Sequence, residues 1–397
     1  MEGDFIKINK WLLPLSWLYG LGVKLRNTMF EIGILKSRAF QIPVISVGNI
    51  TVGGSGKTPH VEYLIDILKD LFHVAVLSRG YKRKSKGFIQ ATADTVMSDI
   101  GDEPYQMKQK FPKVTIAVDK DRCHGIDLLT ELDAKLDVVL LDDAFQHRYV
   151  KPGINILLVD YHRLIIYDKL LPAGRLREPM KGKNRADIVI VTKCPKSLKP
   201  MEFRVITKAM ALFPYQHLFF TTLSYDAPVP VFPQEAVPVP TTTADDGSGF
   251  SITSHVLLLT GIASPRQLEE DLADIAPRFS TMTFPDHHDF TRKDVERINR
   301  TFADMPSPKC IVTTEKDAAR LTNTDGLSNE VRQHLFTLPI HIKFMQEQQE
   351  QMFNENIIGY VHKNSRNSIL VKGADDHKPK NSHHPGNRPR TISFRNN

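Results

Sequence analysis

The stretch VGNITVGGSGKTPH, residues 47–60, constrains the fold of this chain more than any other. A β-branched run stops in a cluster of glycines, and Lys57, Thr58 and Pro59 then open a helix. Gly53 and Gly54 permit positive φ, so that backbone N–H groups can turn inward around phosphate oxygens. In the spacing G-x-x-x-x-G-K-[ST], Gly56, Lys57 and Thr58 fit, while Thr51 stands at the first glycine position. The loop of Thr51, Val52, Gly53, Gly54, Ser55, Gly56, Lys57 and Thr58 is therefore expected to hold a nucleotide. Lys57 would balance charge at the β- and γ-phosphates, and the Thr58 hydroxyl would hold Mg²⁺ at the helix N-terminus.

A phosphate loop needs a parallel sheet around it. IPVISVGNI (42–50), HVAVLS (73–78), TIAV (115–118), DVVLLDDA (137–144), NILLVD (155–160) and ADIVIVTK (186–193) read as apolar strands separated by helix-length stretches. That rhythm predicts an α/β fold: a P-loop NTPase-like, mostly parallel sheet covered by helices over 41–226. The Pro-, Thr- and Gly-rich segment 227–255 reads as a linker or β-ribbon. The rhythm resumes in HVLLLTG (255–261), KCIVTTEK (309–316) and HLFTLPIHIKF (334–344), a second, smaller α/β domain over 256–355.

The acidic partner of the loop is expected at another strand end, and VVLLDDAFQHR supplies it. Asp142 or Asp143 would hold Mg²⁺, a hard cation that prefers oxygen ligands. Side chains alternate faces along a strand, so the two carboxylates have different roles. Gln146 and His147 follow and would point into the same crevice. A guanine-reading GTPase would carry [NT]-K-x-D late in the sheet; Thr192 and Lys193 fit, but Pro195 replaces the acid. Val52 stands where partition-type ATPases carry an extra lysine.

The net charge of +7 is concentrated at one end. From Lys363 onward there are eight Lys or Arg against two Asp, so the preceding body is close to neutral and no nucleic-acid surface is expected. Residues 356–397 read as a basic, disordered tail, a passive extension or a contact for anionic lipid or RNA. At the other end, WLLPLSWLYGLGV (11–23) is too short an apolar run to span a bilayer and lacks a signal-peptide cleavage site. Residues 1–40 read either as a helix lying in a membrane interface or as an apolar hairpin packed on the core. Cys123, Cys194 and Cys310 lie far apart and read as reduced thiols.

Other polar stretches leave alternatives open. SRGYKRKSKGF carries Arg79, Lys82, Arg83, Lys84 and Lys86 after a strand, either as anion ligands or as a solvated loop; LLPAGRLREP offers Arg175 and Arg177, with Glu178 as an internal partner. Asp102 and Glu103 fall in a stretch that reads as loop, where a carboxylate is ordinarily solvated. In PDHHDF, Asp286 and Asp289 could cap a helix starting near Thr291, and no Cys or His lies at ligand spacing from the two histidines.

Taken in order, VGNITVGGSGKTP, LSRGYKRK, GDEPYQM, LLDDAFQHR, LLPAGRLREP, FPDHHDF and TTEKDAAR, spanning roughly residues 42–320, resemble the tetraacyldisaccharide 4′-kinases. The resemblance implies an ATP- and Mg²⁺-dependent lipid kinase that phosphorylates the 4′-hydroxyl of a tetraacyldisaccharide 1-phosphate in lipid A biosynthesis. It implies action on the cytoplasmic side of the bacterial inner membrane, with the N-terminal segment as a peripheral or monotopic contact. By the family motifs, Asp102 matches the general base, Glu103 its acidic neighbour and His287 the histidine that pairs with that base, alongside Asp142 and Asp143. Arg79, Gln146, His147, Arg175 and Arg177 are expected on the substrate side. Lys82 and Arg175 stand where the family pattern has Gly and Pro. The rival reading is a nucleotide-dependent switch or scaffold at a membrane surface with no lipid acceptor.

Overall fold

The computed structural model describes residues 6, 8–239, 241–243, 250–262, 265–286 and 288–365. A helix, α1 (Leu13–Glu31), comes first, with a proline in its opening turn, where a missing N–H costs little. Strand β1 (Val44–Asn49) then runs into the glycine loop and α2 (Lys57–Leu68). After these come β2 (Val74–Ser78), β3 (Ile89–Gln90), α3 (Met97–Ile100), α4 (Asp102–Lys110), β4 (Thr115–Val118) and α5 (Arg122–Leu132). The larger domain continues through β5 (Val138–Asp142), β6 (Ile154–Asp160), β7 (Ile188–Thr192), α6 (Pro200–Met210) and β8 (His217–Tyr225).

These strands form one sheet in the order β3-β4-β2-β5-β1-β6-β7-β8, parallel except for β3. The strands β1, β2, β5 and β7 are buried end to end, which is why they read as unbroken aliphatic runs. On one face Ile45, Val47, Val76 and Leu140 pack against Val61, Leu64 and Ile65 of α2. On the other, Leu77, Val139 and Leu141 meet Ile126 and Leu129 of α5, while Leu157, Val159 and Val191 meet Ile206 and Met210 of α6. The α/β, P-loop-type architecture is as expected.

The smaller domain is built from β9 (Val229–Pro230), β10 (Thr241–Thr243), β11 (Phe250–Ile252), β12 (His255–Thr260), α7 (Arg266–Ile275), β13 (Phe279–Thr283) and α8 (Arg292–Ala303). It goes on with β14 (Lys309–Thr313), α9 (Glu315–Leu321), α10 (Asn329–Gln333) and β15 (Leu335–Thr337). Its sheet has the order β13-β12-β14-β15-β9, with β9 antiparallel to β15, while β10 and β11 form a separate ribbon.

Three boundaries differ from expectation. The run HLFTLPIHIKF is not one strand, because Pro339 has no N–H to extend a ladder; it separates β15 from β16 (Ile340–Phe344). Strand β16 crosses back and pairs antiparallel with β8, so 340–355 belongs to the larger domain rather than to the smaller one. Helix α11 (Glu347–Asn364) follows and buries Phe353, Ile357 and Val361 in the large core, so residues 356–364 are helical rather than tail. Segment 227–255, expected as a linker or β-ribbon, holds the β10–β11 ribbon and joins the smaller domain at its start, where β9 pairs with β15. Residues 366–397 lie outside the described residues.

Helix α1 is a single helix and not a hairpin. Ser16 donates to Leu170 O (3.0 Å) and accepts from Ala173 N (2.9 Å), and Tyr19 OH donates to Arg177 O (2.7 Å). Phe30 is buried against Tyr149 and beneath Arg148. The rest of its apolar surface faces outward: Trp11, just ahead of α1, is 92% exposed and Trp17 79%, with Leu15, Leu18, Leu21 and Leu25 between and beyond them. Among the described residues no helix is long and apolar enough to cross a membrane.

Candidate active site

Strands β1 and β5 are adjacent and parallel, with Val47 opposite Asp142, so the glycine loop and the twin carboxylates leave the sheet at the same edge. This is the crevice outside the carboxyl ends of the strands, where open α/β sheets place ligands.

The loop is braced from outside. Gly53 and Gly56 take φ of +123° and +76°, conformations that favour glycine. Asn49 Nδ2 donates to Ser55 Oγ (2.7 Å), Thr192 Oγ1 to Ser55 O (3.1 Å), and Lys193 Nζ to Gly54 O. His60 lies buried beneath the loop, with Nδ1 2.7 Å from Gly56 O and Nε2 3.1 Å from Thr221 Oγ1. A carbonyl only accepts, so Nδ1 carries the proton and Nε2 accepts from the threonine. Burial lowers this imidazole to about 4, and it stays neutral. Because the Ser55 and Gly56 carbonyls are held outward, the opposite ends of those trans peptides, the N–H groups of Gly56 and Lys57, turn into the loop. Thr192 and Lys193, which fit the guanine motif that Pro195 breaks, thus serve as struts.

The segment Arg175–Arg177 lies alongside the loop entrance. Thr51 and Leu176 form an antiparallel bridge, Val52 N donates to Arg175 O (2.8 Å), and Arg177 N donates to Ile50 O (2.8 Å). Arg177 Nη1 then reaches 3.5 Å from Asp143 Oδ2, and Lys57 Nζ stands 3.6 Å from Asp143 Oδ1. Burial would raise the Asp143 carboxyl, but Lys57, then Arg177 and Arg122, outweigh it and hold it below the usual range. Asp142 is the reverse case. It is buried and accepts from Ser78 Oγ (3.0 Å); burial, then the charges of Asp143 and Glu103, push it up to about 6 despite Lys57. Adjacent carboxylates therefore have opposite characters; the strand ends at Asp142, and Asp143, at φ +46°, turns out of it toward the cations.

Gln146 is not an open ligand. Its Nε2 donates to Asn49 O (2.5 Å) and Glu178 Oε1 (3.2 Å), and its Oε1 faces Arg177 Nη1 (3.4 Å), which ties the loop base to the arginine segment. His147 is half-buried, its Nε2 has no hydrogen-bond partner, and burial together with Arg122 lowers it to about 4. Arg79 is exposed past the end of β2, and its charge acts on both His147 and Arg122. Arg175 is exposed near Gly53: a side chain placed there would come within 3.9 Å of its Nη1. Lys82 has φ of +59°, a backbone conformation that suits the glycine of the family pattern. Asp121, Cys123 and His147 bring possible ligand atoms within 4.8 Å of one another, but the cations Arg122, Arg26 and Arg79 around His147 oppose a divalent ion there.

Asp102 occupies the first turn of α4, not a loop. Gly101, at φ +90°, makes the bend just before it, and a side chain there would collide with Tyr81 O at 2.7 Å. From the smaller domain Arg320 Nη2 donates to Asp102 Oδ2, and Lys316 Nζ lies 3.4 Å from both Glu103 and Asp286. His287 lies outside the described residues. The helix after it is capped by Thr291 with Asp294, which also takes His288 Nε2 at 2.9 Å; Asp286 and Asp289 are not its caps. Arg320, Lys316, His60, Asn49 and Arg122 are the residues that sequence reasoning passed over. The first two lie in TTEKDAAR, where their i, i+4 spacing on one helix face was a usable signal.

The profile of the family described as Tetraacyldisaccharide-1-P 4′-kinase matches residues 8–358. The chain belongs to the tetraacyldisaccharide 4′-kinase family. A relative of that name from Phocaeicola vulgatus is 57% identical over 376 residues, 93% of this chain and 99% of the relative. Another from Bacteroides thetaiotaomicron is 51% identical over 380 residues, 95% and 100% of the two chains. Among solved structures, LpxK from Aquifex aeolicus in complex with ATP superposes with a TM-score of 0.63 at 32% identity, covering 87% of this chain and 98% of that one. In this kinase family member the match therefore extends across both domains and α1.

Proposed function

We propose that the chain transfers the γ-phosphoryl group of ATP to the 4′-hydroxyl of a tetraacyldisaccharide 1-phosphate, the lipid kinase step of lipid A biosynthesis. The observation that carries this reading is the knot of Lys57, Asp143 and Arg177 at the common edge of β1 and β5, in a chain that belongs to this kinase family.

The donor side needs positioning and charge neutralisation more than covalent chemistry. Inward N–H groups of Gly56 and Lys57, the N-terminus of α2 and the Lys57 ammonium form a cradle for the β- and γ-phosphates. The residues fit Mg²⁺: the buried Oδ1 atoms of Asp142 and Asp143 have no hydrogen-bond partner, and with the Thr58 hydroxyl they form an all-oxygen set. Thr58, Asp142 and Asp143 would hold the ion, which when bound neutralises charge on the phosphate oxygens. Arg177 is aimed at the same carboxylate, and Arg175 and Arg79 add positive charge at the rim.

On the acceptor side Asp102 is the general base. The 4′-hydroxyl oxygen forms its bond to Pγ while the bond from Pγ to the β–γ bridging oxygen breaks; ADP leaves, and the hydroxyl proton passes to Asp102. Glu103 lies close enough for its charge to act on Asp142, which supports placing donor and acceptor carboxylates around one pocket. Helix α1 suits the lipid part. A groove of about 480 Å³ lined by Leu15, Leu18, Tyr19, Gly22, Val23 and Arg26 opens on it, and Tyr19 bonds directly to the backbone of Arg177. The exposed leucines and Trp17 of α1, with Trp11 just ahead of it, suit the surface of a membrane, here the cytoplasmic face of the inner membrane.

The test is incubation of the purified chain with γ-labelled ATP and Mg²⁺, with and without tetraacyldisaccharide 1-phosphate dispersed in detergent. Label in the lipid fraction supports the kinase. Slow release of free phosphate alone, unaffected by lipid, would support a nucleotide switch instead.

A further inference from the structure

We propose that Arg320 is a positioning residue for the reaction: a guanidinium supplied by the smaller domain that fixes the Asp102 carboxylate at the start of α4. The inference rests on the reading of Asp102 as the base.

Arg320 is only 7% exposed, and its two terminal nitrogens reach two carboxylates in different domains. Nη1 donates to Asp317 Oδ1 (3.2 Å) and Nη2 to Asp102 Oδ2. Asp317 is wholly buried, and its other oxygen accepts from Thr314 Oγ1 (2.8 Å) and from the Gly261 N–H (2.9 Å) at the end of β12. The Asp317 carboxylate is thus pinned by its own helix cap and by a strand end. Through it the planar guanidinium is held in one orientation, and the guanidinium then sets the rotation of Asp102. A fork of this kind orients a carboxylate in a way that a lone ammonium does not.

The neighbouring cation supports a designed register rather than a chance contact. Lys316 lies one turn earlier on α9 and pairs with Glu103, the next carboxylate on α4. Two cations at i and i+4 on α9 therefore meet two acids at i and i+1 on α4, and Lys316 reaches Asp286 as well. A guanidinium against a carboxylate favours its charged form, the form that accepts a proton. Arg320 would therefore hold the base correctly turned, with a charge of opposite sign beside it.

The experiment uses the full chain, ATP with Mg²⁺ and the tetraacyldisaccharide 1-phosphate acceptor in detergent, with kcat and KM measured for each substrate. Arg320→Gln should lower kcat roughly tenfold or more with KM for ATP nearly unchanged. Arg320→Lys should recover only part of that kcat, because an ammonium keeps the charge without the planar guanidinium. If Arg320→Gln does not fold, Arg320→Gln/Asp317→Asn, which leaves no buried carboxylate without its partner, takes its place in the same measurement. A folded variant with near wild-type kcat overturns the proposal, and so does one whose KM for ATP rises as kcat falls, since loss of a mere interdomain strut would disturb both. Asp102→Asn separates the two readings: if it turns over lipid at near wild-type rate, the base assignment itself fails, whereas an inactive Asp102→Asn with near wild-type kcat in Arg320→Gln removes only the arginine.

Discussion

At the scale of single residues, conformation and charge make separate demands on the glycine loop. Gly56 has space beside it, since a side chain there would meet His60 only at ordinary contact distance, 3.7 Å; its φ of +76° is the constraint. Gly56→Ala should therefore cost about 1–2 kcal/mol of stability from backbone strain alone, read in a urea melt, and should weaken ATP binding with it. An unchanged melt and unchanged ATP affinity would show that the loop conformation is not needed. Lys57→Ala tests charge instead. Loss of a fixed cation beside the transferring phosphoryl group should lower turnover by on the order of a hundredfold to a thousandfold, measured as label entering lipid. Lys82→Gly makes the opposite prediction from the same physics. Relief of φ +59° should raise unfolding free energy by about 1 kcal/mol, and a melt unchanged or lowered would count against it. That Lys57, Asp142 and Asp143 come together was legible in the sequence, because fixed spacing and strand ends set their places. The sequence did not disclose His60 or Asn49, whose functions are hydrogen bonds to loop atoms that only the folded chain brings near.

At the scale of elements, α2, α4 and α9 meet in a small polar cluster beside the site. Glu62 of α2 is buried and accepts from Lys110 (2.7 Å) and Gln106 (3.0 Å) of α4; Glu315 of α9 lies 3.4 Å from the same Lys110. Burial, with Glu315 adding repulsion and Lys110 opposing, pushes the Glu62 carboxyl up to about 7. The folded state then binds more protons than the unfolded chain between about pH 4.5 and 7. This contribution to stability is complete below the unfolded value and is lost as pH rises through the folded one. Glu62→Gln removes that dependence. The variant's stability relative to wild type should thus shift in its favour between pH 4.5 and 8, by on the order of 3 kcal/mol at most, in parallel urea titrations. A difference independent of pH would mean that Glu62 titrates normally in the fold. Elements in the parallel sheet were readable because their strands are buried on both faces. The exchange of β15 for β16 at Pro339 was not, since adjacent apolar runs look alike whichever sheet they enter. Asp102 was misplaced in a loop for a related reason: Gly101 reads as a loop residue, yet it is the bend that starts α4.

At the scale of the whole molecule, the exposed helix α1 decides between two ways of finding a lipid acceptor. Its inward side is committed to the protein through Ser16, Tyr19 and Phe30, and its outward side carries apolar residues that no described part of the chain covers. Lys24 and Arg26 lie on the same helix, and its first acid comes at Glu31, so the element combines an apolar face with cations, as interfacial helices do. The sequence left this segment balanced between interface and core, because apolar content is the same in both cases; the fold leaves much of that apolar surface outside the core. Trp11 and Trp17 are the side chains to change, since they stand free of the protein's own packing. The double variant Trp11→Glu/Trp17→Glu should retain the wild-type melting temperature and its turnover on detergent-dispersed lipid. Its co-sedimentation with vesicles containing anionic lipid should fall at least about tenfold, because two large apolar groups are replaced by charges that the headgroup region repels. Equal vesicle binding by the variant would mean that α1 is not the docking face, and the lipid would then have to reach Arg177 from solution rather than along the helix that contacts it through Tyr19.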